Sequence, residues 1–190
     1  RKTGRNIDTK ALAGTYRNTS PGSAHALLSS EKDQREHAYV VQAICEALAP
    51  ISEAVTSASG PHLRSLRDIA HLETTIMAQT RPDTSLLQAI EQLHPTPAVG
   101  GTPRRAACDF IAAQEADERG WYTGPIGWVD ALGDGEFHVA LRCGVVEGRH
   151  AWAFAGAGIV DGSEADSEWD ETNAKLGAFR ASLGPVEGDA

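Results

Sequence analysis

A mixed fold, α/β of the α+β kind, is predicted by three features of the amino-acid sequence. Residues 24–49 carry apolar side chains at helical spacing and stop at Pro50, which cannot continue a helix. Residues 124–160 divide into three strand-like stretches at Gly133-Asp134-Gly135 and Glu147-Gly148-Arg149, so two tight antiparallel hairpins are expected. A glycine-rich turn around Gly156 and Gly158 then enters a helix crowded with charge.

The remaining elements follow in order. The polar, basic residues 1–9 predict a loop or frayed end, and residues 184–190 a disordered tail. Lys10–Tyr16 predicts a short strand broken at Gly14, by a bulge, a close backbone approach or a simple turn. In the helix over Ala24–Ala49 the apolar face is Leu27, Leu28, Tyr39, Val40, Ala43, Ile44 and Leu48, interrupted by the charged run Glu31–His37. Residues 51–81 predict one or two strands, with His71 in the apolar-flanked IAHLET as a core histidine or a catalytic one. A short helix over Thr84–Leu93 stops at His94-Pro95, and LHPTPAVGGTPR follows as a rigid loop with exposed backbone groups. Thr102 and Pro103 predict the N-cap and first position of a helix reaching about Glu118. In the middle strand of the hairpins, alternation places Phe137, Val139, Leu141 and Cys143 on one face and His138, Ala140 and Arg142 on the other. An arginine there is an exposed edge charge or a carboxylate clamp.

Composition bounds the function. With 190 residues, 41% hydrophobic and 23% charged, the chain is one ordinary globular domain or part of a larger one. A net charge of −9 argues against nucleic acid as a partner, because phosphate binding needs clustered Lys and Arg. The three cysteines, Cys45, Cys108 and Cys143, are too scattered for a disulfide framework or a zinc site. No apolar run approaches the roughly 18–20 residues of a membrane span and no secretory signal is apparent, so no membrane and a cytoplasmic location are expected. The first residue is Arg1 rather than Met, which fits processing, cloning or proteolysis and leaves open that the chain is a piece of a longer polypeptide.

The charged helix is the candidate for chemistry. At about 100° per residue, Glu168, Glu171 and Lys175 fall within an arc of about 60°. Ser163 or Ser167 would cap it, with Ser167-x-x-Asp170 resembling a capping box. Gly156 and Gly158, just before it, allow a backbone to approach a ligand closely. Such a face suits a divalent cation with an anionic substrate, or is a solvated surface with a Glu171–Lys175 ion pair.

Taken together and in order, EKDQREH, LHPTPAVGGTPR, RGWYTGPIGWVD, VALRCG, FAGAGIV and SEWDETNAKL resemble the C-terminal half of a chorismate-utilising enzyme, most specifically an isochorismate synthase. The resemblance covers roughly Ala11–Leu183, and the HPTP form of the loop is similar to siderophore-type isochorismate synthases. It implies the chorismate-binding fold, stacked antiparallel sheets flanked by helices, with residues 1–190 as the C-terminal part of a single domain. By the same resemblance, Mg²⁺ falls on Glu36 and Glu171 with Glu168 close by. Arg142 and Lys175 match positions that hold substrate carboxylates. The backbone around Gly14, Ala98, Val99 and Gly156 matches the rest of the substrate pocket, His71 a histidine near the reacting ring, and Tyr122 a bordering loop. The implied activity is an isomerase reaction, chorismate to isochorismate, with water added at C2 and the C4 hydroxyl lost. The general base lysine and general acid glutamate lie upstream of the matched segment, so the missing N-terminal half is an expected partner. The alternatives are a salicylate synthase, an aminodeoxyisochorismate synthase, or a non-catalytic chorismate-binding module. The resemblance implies a downstream use in menaquinone or siderophore synthesis.

Overall fold

The structure, a computed structural model, describes residues 1–17, 25–65 and 69–184. Among these residues nine strands and six helices are formed. The central strands are β2 (Asn6–Arg17) and β5 (Ile69–Thr80), twelve residues each and paired antiparallel along their length. β3 (Ser52–Ser57) and β4 (His62–Ser65) both pair with β5, and β1 (Lys2–Thr3) with β2. β7 (Gly135–Val139) joins β1, and β6 (Pro125–Val129) closes the order β3-β5-β2-β1-β7-β6. β8 (Cys143–Glu147) and β9 (His150–Phe154) form a separate two-stranded sheet.

Alternation explains the central pair. In β5 the side chains of Ala70, Leu72, Thr74, Ile76, Ala78 and Thr80 are buried, which turns His71, Glu73 and Thr75 to the opposite face. Helix α1 (His25–Ser29) and helix α2 (Glu31–Leu48) follow β2. From α2, His37, Val40, Ile44 and Leu48 form the buried stripe, and it packs on Ile7, Ala11, Ala13, Ile76 and Ala78 of the sheet. Each such aliphatic side chain contributes about 1.5–3 kcal/mol when fully buried. Helix α3 (Leu86–Leu93) adds Ala89 to this core and starts in a capping box between Ser85 and Gln88. Helix α4 (Pro97–Gly100), helix α5 (Arg104–Gln114) and helix α6 (Ala165–Ser182) complete the chain. No helix among the described residues is long and apolar enough to cross a membrane.

Several expectations are corrected. Residues 1–9 are not a frayed end: Gly4, at φ +55°, turns the chain so that Lys2 pairs with Ile7, and the strand predicted from Lys10 begins at Asn6. The helix over residues 24–49 is two helices, because the Ser30 side chain accepts the Asp33 N–H and starts a new one; Tyr39, assigned to its apolar face, is exposed. Residues 51–81 hold three strands, and the proline-rich loop contains α4. Thr102 does not cap α5; Pro103 occupies the N-cap without a side-chain bond, and the helix ends at Gln114. Helix α6 starts after Glu164 with no side-chain cap, and Ser167 lies inside it. The predicted middle strand is broken at 140–142, where Ala140 bonds back to Thr123 and Gly124 and the chain leaves for the second sheet. Arg142 is therefore not in mid-strand opposite Leu141 and Cys143; it sits in the break with φ +51°. FAGAGIV is strand only to Phe154. Of the tail, residues 185–190 lie outside the described residues.

Candidate functional site

The open face of the central strands forms one wall of a cavity of about 510 Å³, and the segments after β7 and β9 with helix α6 form the other. Gly14 is where the two are tied. It is skipped in the pairing of β2 with β5, between Ala13 and Thr15, and its φ of +73° is left-handed. Freed from the ladder, its N–H bonds the Glu36 carboxylate and its carbonyl accepts from His71 Nδ1 at 3.1 Å. An added Cβ would meet Asp33 Cβ at 3.2 Å, so the position is both strained and tight for any other residue.

Three carboxylates line the cavity: Glu73, held by Lys10 on the sheet face, and two that come from helices. Glu36 projects from α2 and Glu171 from α6. Burial, followed by the charges of Glu171 and Asp33, pushes the Glu36 carboxyl above its ordinary range, against the Gly14 N–H and Lys175. Lys175 bonds Glu171 Oε1 at 2.7 Å and the Gly156 carbonyl at 2.9 Å, which joins the helix to the turn before it. Both glycines of that turn matter for space: a Cβ on Gly156 would meet the Tyr122 hydroxyl at 3.1 Å, and one on Gly158 would meet Glu36 Oε1 at 3.3 Å. Arg142 reaches His71, its Nη2 standing 2.7 Å from Nε2. Burial first, and then the charges of Arg142 and Lys175, lower the His71 pKa below its ordinary value, opposed by the Gly14 bond and Glu171.

Gly14, Glu36, His71, Ala98, Val99, Tyr122, Arg142, Gly156, Glu171 and Lys175 thus all line the same cavity. Glu168 does not. It faces Lys32 of α2, 3.0 Å away; burial pushes its carboxyl up, but the hydrogen bonds from Ser163 and Lys32 together with the charges of Lys32 and Lys175 outweigh this and lower its pKa. Among the described residues no group of three or more His, Cys, Asp or Glu side chains is gathered to hold a metal. Two hard oxygen donors beside open space, one of them unsettled by the other's charge, nevertheless fit a Mg²⁺ ion that keeps water and substrate oxygens in its shell.

The sequence reading missed four lining residues in particular. Lys10 and Glu73 form an ion pair of 2.8 Å on the open sheet face, with Arg64 at its edge. Alternation from Gly14 and His71 along β2 and β5 was the available signal for both. Arg119 donates to the Val99 carbonyl at 2.8 Å and to Glu115 at 2.7 Å, fixing helix α4, which presents Ala98 and Val99. Its i,i+4 spacing from Glu115 was legible, but its link to Val99, twenty residues away, was not.

A model of the family described as chorismate binding enzyme matches residues 1–184. The chain belongs to that family. It is 43% identical over 185 residues to the salicylate biosynthesis isochorismate synthase of Pseudomonas aeruginosa, covering 95% of this chain and 39% of that protein. To isochorismate synthase MenF of Bacillus subtilis it is 45% identical over 158 residues, covering 83% of this chain and 34% of the relative. The solved structure of the menaquinone-specific isochorismate synthase MenF of Escherichia coli superposes with a TM-score of 0.86 at 34% identity, covering 96% of this chain and 43% of that one. The mixed fold of antiparallel sheets and helices is thus the one these isochorismate synthases have, and the chain spans between about a third and a half of their length.

Proposed function

We propose that this chain is the C-terminal part of a Mg²⁺-dependent isochorismate synthase, an isomerase that interconverts chorismate and isochorismate. The observation that carries the proposal is convergence: ten residues separated by up to 161 positions line one cavity, and they include two carboxylates, two cations and three backbone-exposing segments. The similarity to named isochorismate synthases supports the choice of reaction.

In this reading Glu36 and Glu171 would hold Mg²⁺, which would supply Lewis acidity and positive charge beside the substrate's ring carboxylate. Lys175 leaves its bond to Glu171 to meet that carboxylate. Arg142 takes the second carboxylate in a planar, two-point contact. The turn at Gly156 and the loop at Ala98 and Val99 bring main-chain groups against the ring, and Tyr122, stacked on Phe154 at 5.6 Å, closes the side. Glu168 supports the site indirectly by tying α6 to α2 through Lys32. The base that activates water and the acid that protonates the leaving hydroxyl come from the remaining length of the enzyme, which is also the proposed partner of the face described here. Holding the substrate at both ends leaves those groups only the proton transfers to perform.

The test is a product assay. The intact enzyme with chorismate and Mg²⁺ is expected to give isochorismate by chromatography, and chelation by EDTA to stop it. Salicylate with pyruvate, or binding without turnover, overturns the proposal.

A further inference from the structure

We infer that His71 is a positioning residue that aims Arg142, rather than a group that touches the reacting ring. The inference rests on the reading of Arg142 as a substrate-carboxylate contact. Its ground is the direction of two hydrogen bonds. A guanidinium nitrogen has protons and no acceptor, so in the 2.7 Å contact with Arg142 Nη2 the His71 Nε2 must accept. The Gly14 carbonyl has no proton, so in the 3.1 Å contact the His71 Nδ1 must donate. One assignment satisfies both: a neutral ring protonated on Nδ1.

Each end of this relay has an independent reason to be where it is. The Gly14 carbonyl is available because the bulge takes it out of the ladder between β2 and β5. His71 faces the cavity because Ala70 and Leu72 on either side are fully buried, which fixes the pleat. Arg142 needs an external hold because it lies in the three-residue break between β7 and β8 in a left-handed conformation that a non-glycine residue adopts at a cost of about 1–2 kcal/mol. The ring is surrounded by Arg64, opposite it on β4, by Arg142, and by Lys175 and Glu171 from α6. Burial, with the charges of Arg142 and Lys175, keeps the ring neutral and able to accept. Among the described residues Arg142 makes its side-chain hydrogen bond to His71 alone, so without the Nε2 lone pair the carboxylate must order it on binding.

The experiment is a double-mutant cycle in the intact enzyme, with steady-state kinetics on chorismate at saturating Mg²⁺ and thermal melts as a control for folding. Arg142→Ala is expected to raise KM. His71→Leu is expected to raise KM about tenfold, the scale of one ordering hydrogen bond, with kcat changed by less than about twofold. In the Arg142→Ala background the same His71→Leu change is expected to add nothing. His71→Gln, which keeps an acceptor near the Nε2 position, is expected to recover most of the KM and also serves if the leucine variant folds poorly. A fall in kcat on His71→Leu that persists without Arg142 overturns the inference and returns His71 to the ring. Full additivity of the two KM effects overturns it as well. If Arg142→Ala leaves KM unchanged, the inference falls because the carboxylate reading beneath it has failed.

Discussion

The two walls of the cavity are built in opposite ways. Every buried hydrophobic side chain among the described residues lies before residue 90, from Ile7 to Ala89, in the sheet of β2 and β5 and the helices packed on it. After residue 90 the large apolar side chains stand in the open: Phe110, Trp121, Trp128, Leu132, Val146, Ile159 and Trp169 are each more than half exposed. Yet the second region supplies Arg142, Gly156, Glu171 and Lys175, and the first supplies Gly14, Glu36 and His71. One wall is positioned by packing. The other is positioned by a few polar links, Lys175 to Gly156, Arg142 to His71, Arg119 to Val99 and Lys32 to Glu168. With those seven large apolar side chains more than half exposed and four polar links holding it in place, the second wall has the character of an interaction surface.

The sharpest break of this contrast is in the core. Leu48→Ala removes a side chain with no exposed surface from the centre of the packed wall, and a loss of about 2–5 kcal/mol is expected in urea unfolding. The next largest effect belongs to chemistry rather than packing. Glu171→Ala is expected to lower Mg²⁺-dependent turnover of the intact enzyme at least about 100-fold while the melting temperature stays near wild type, since the side chain is partly exposed and on the thinly packed wall. Turnover that survives the change would make the α6 face a solvated one with an ordinary ion pair.

The same contrast explains what the sequence disclosed. The helices and the tight turns at Gly133 and Gly148 were legible because short-range rules govern them. The charged face of α6 was legible from helical spacing, although spacing alone grouped Glu168 with Glu171, and only the position of Lys32, 136 residues earlier, separates them. The start of β2 was hidden because RKTGRNIDT is polar; its pairing comes from β5, some seventy residues later. Arg142 was misplaced because alternation assumes that a strand continues, whereas Ala140 finds its partners at Thr123 and Gly124 and the chain changes sheets. Convergence on one cavity was legible only through resemblance, since no periodicity relates Gly14 to Arg142.

A smaller effect tests the electrostatics of the packed wall. Burial pushes the Glu73 carboxyl up, but the Lys10 hydrogen bond and the charges of Lys10, Arg64 and His62 outweigh it, and the net pKa lies below the ordinary value of 4.5. A carboxyl lowered by folding stabilises the fold fully above its unfolded value and loses that contribution as the pH falls through the folded one. Wild type is therefore expected to lose stability across the acid range below 4.5 more steeply than Glu73→Gln, which is less stable at neutral pH but lacks this titration. Urea midpoints measured for both proteins against pH check the sign. Parallel curves would mean that the ion pair contributes nothing, the usual result for a solvent-screened pair.

The smallest effect is also the one that decides what covers the second wall. Val146 on β8 and Trp128 on β6 are 60% and 57% exposed, so Val146→Ala and Trp128→Ala in the chain expressed alone are expected to change stability by no more than about 0.5 kcal/mol. If the remaining length of the enzyme packs over this region, the same changes in the intact protein remove buried area and cost about 1–3 kcal/mol, scaled by how much of each side chain becomes covered. A difference between the two settings at one of these positions and not the other maps the edge of the covered surface. Equal, small effects in both would mean that the second wall is solvent-facing in the whole enzyme, and that polar links alone suffice to hold Arg142, Glu171 and Lys175 in place.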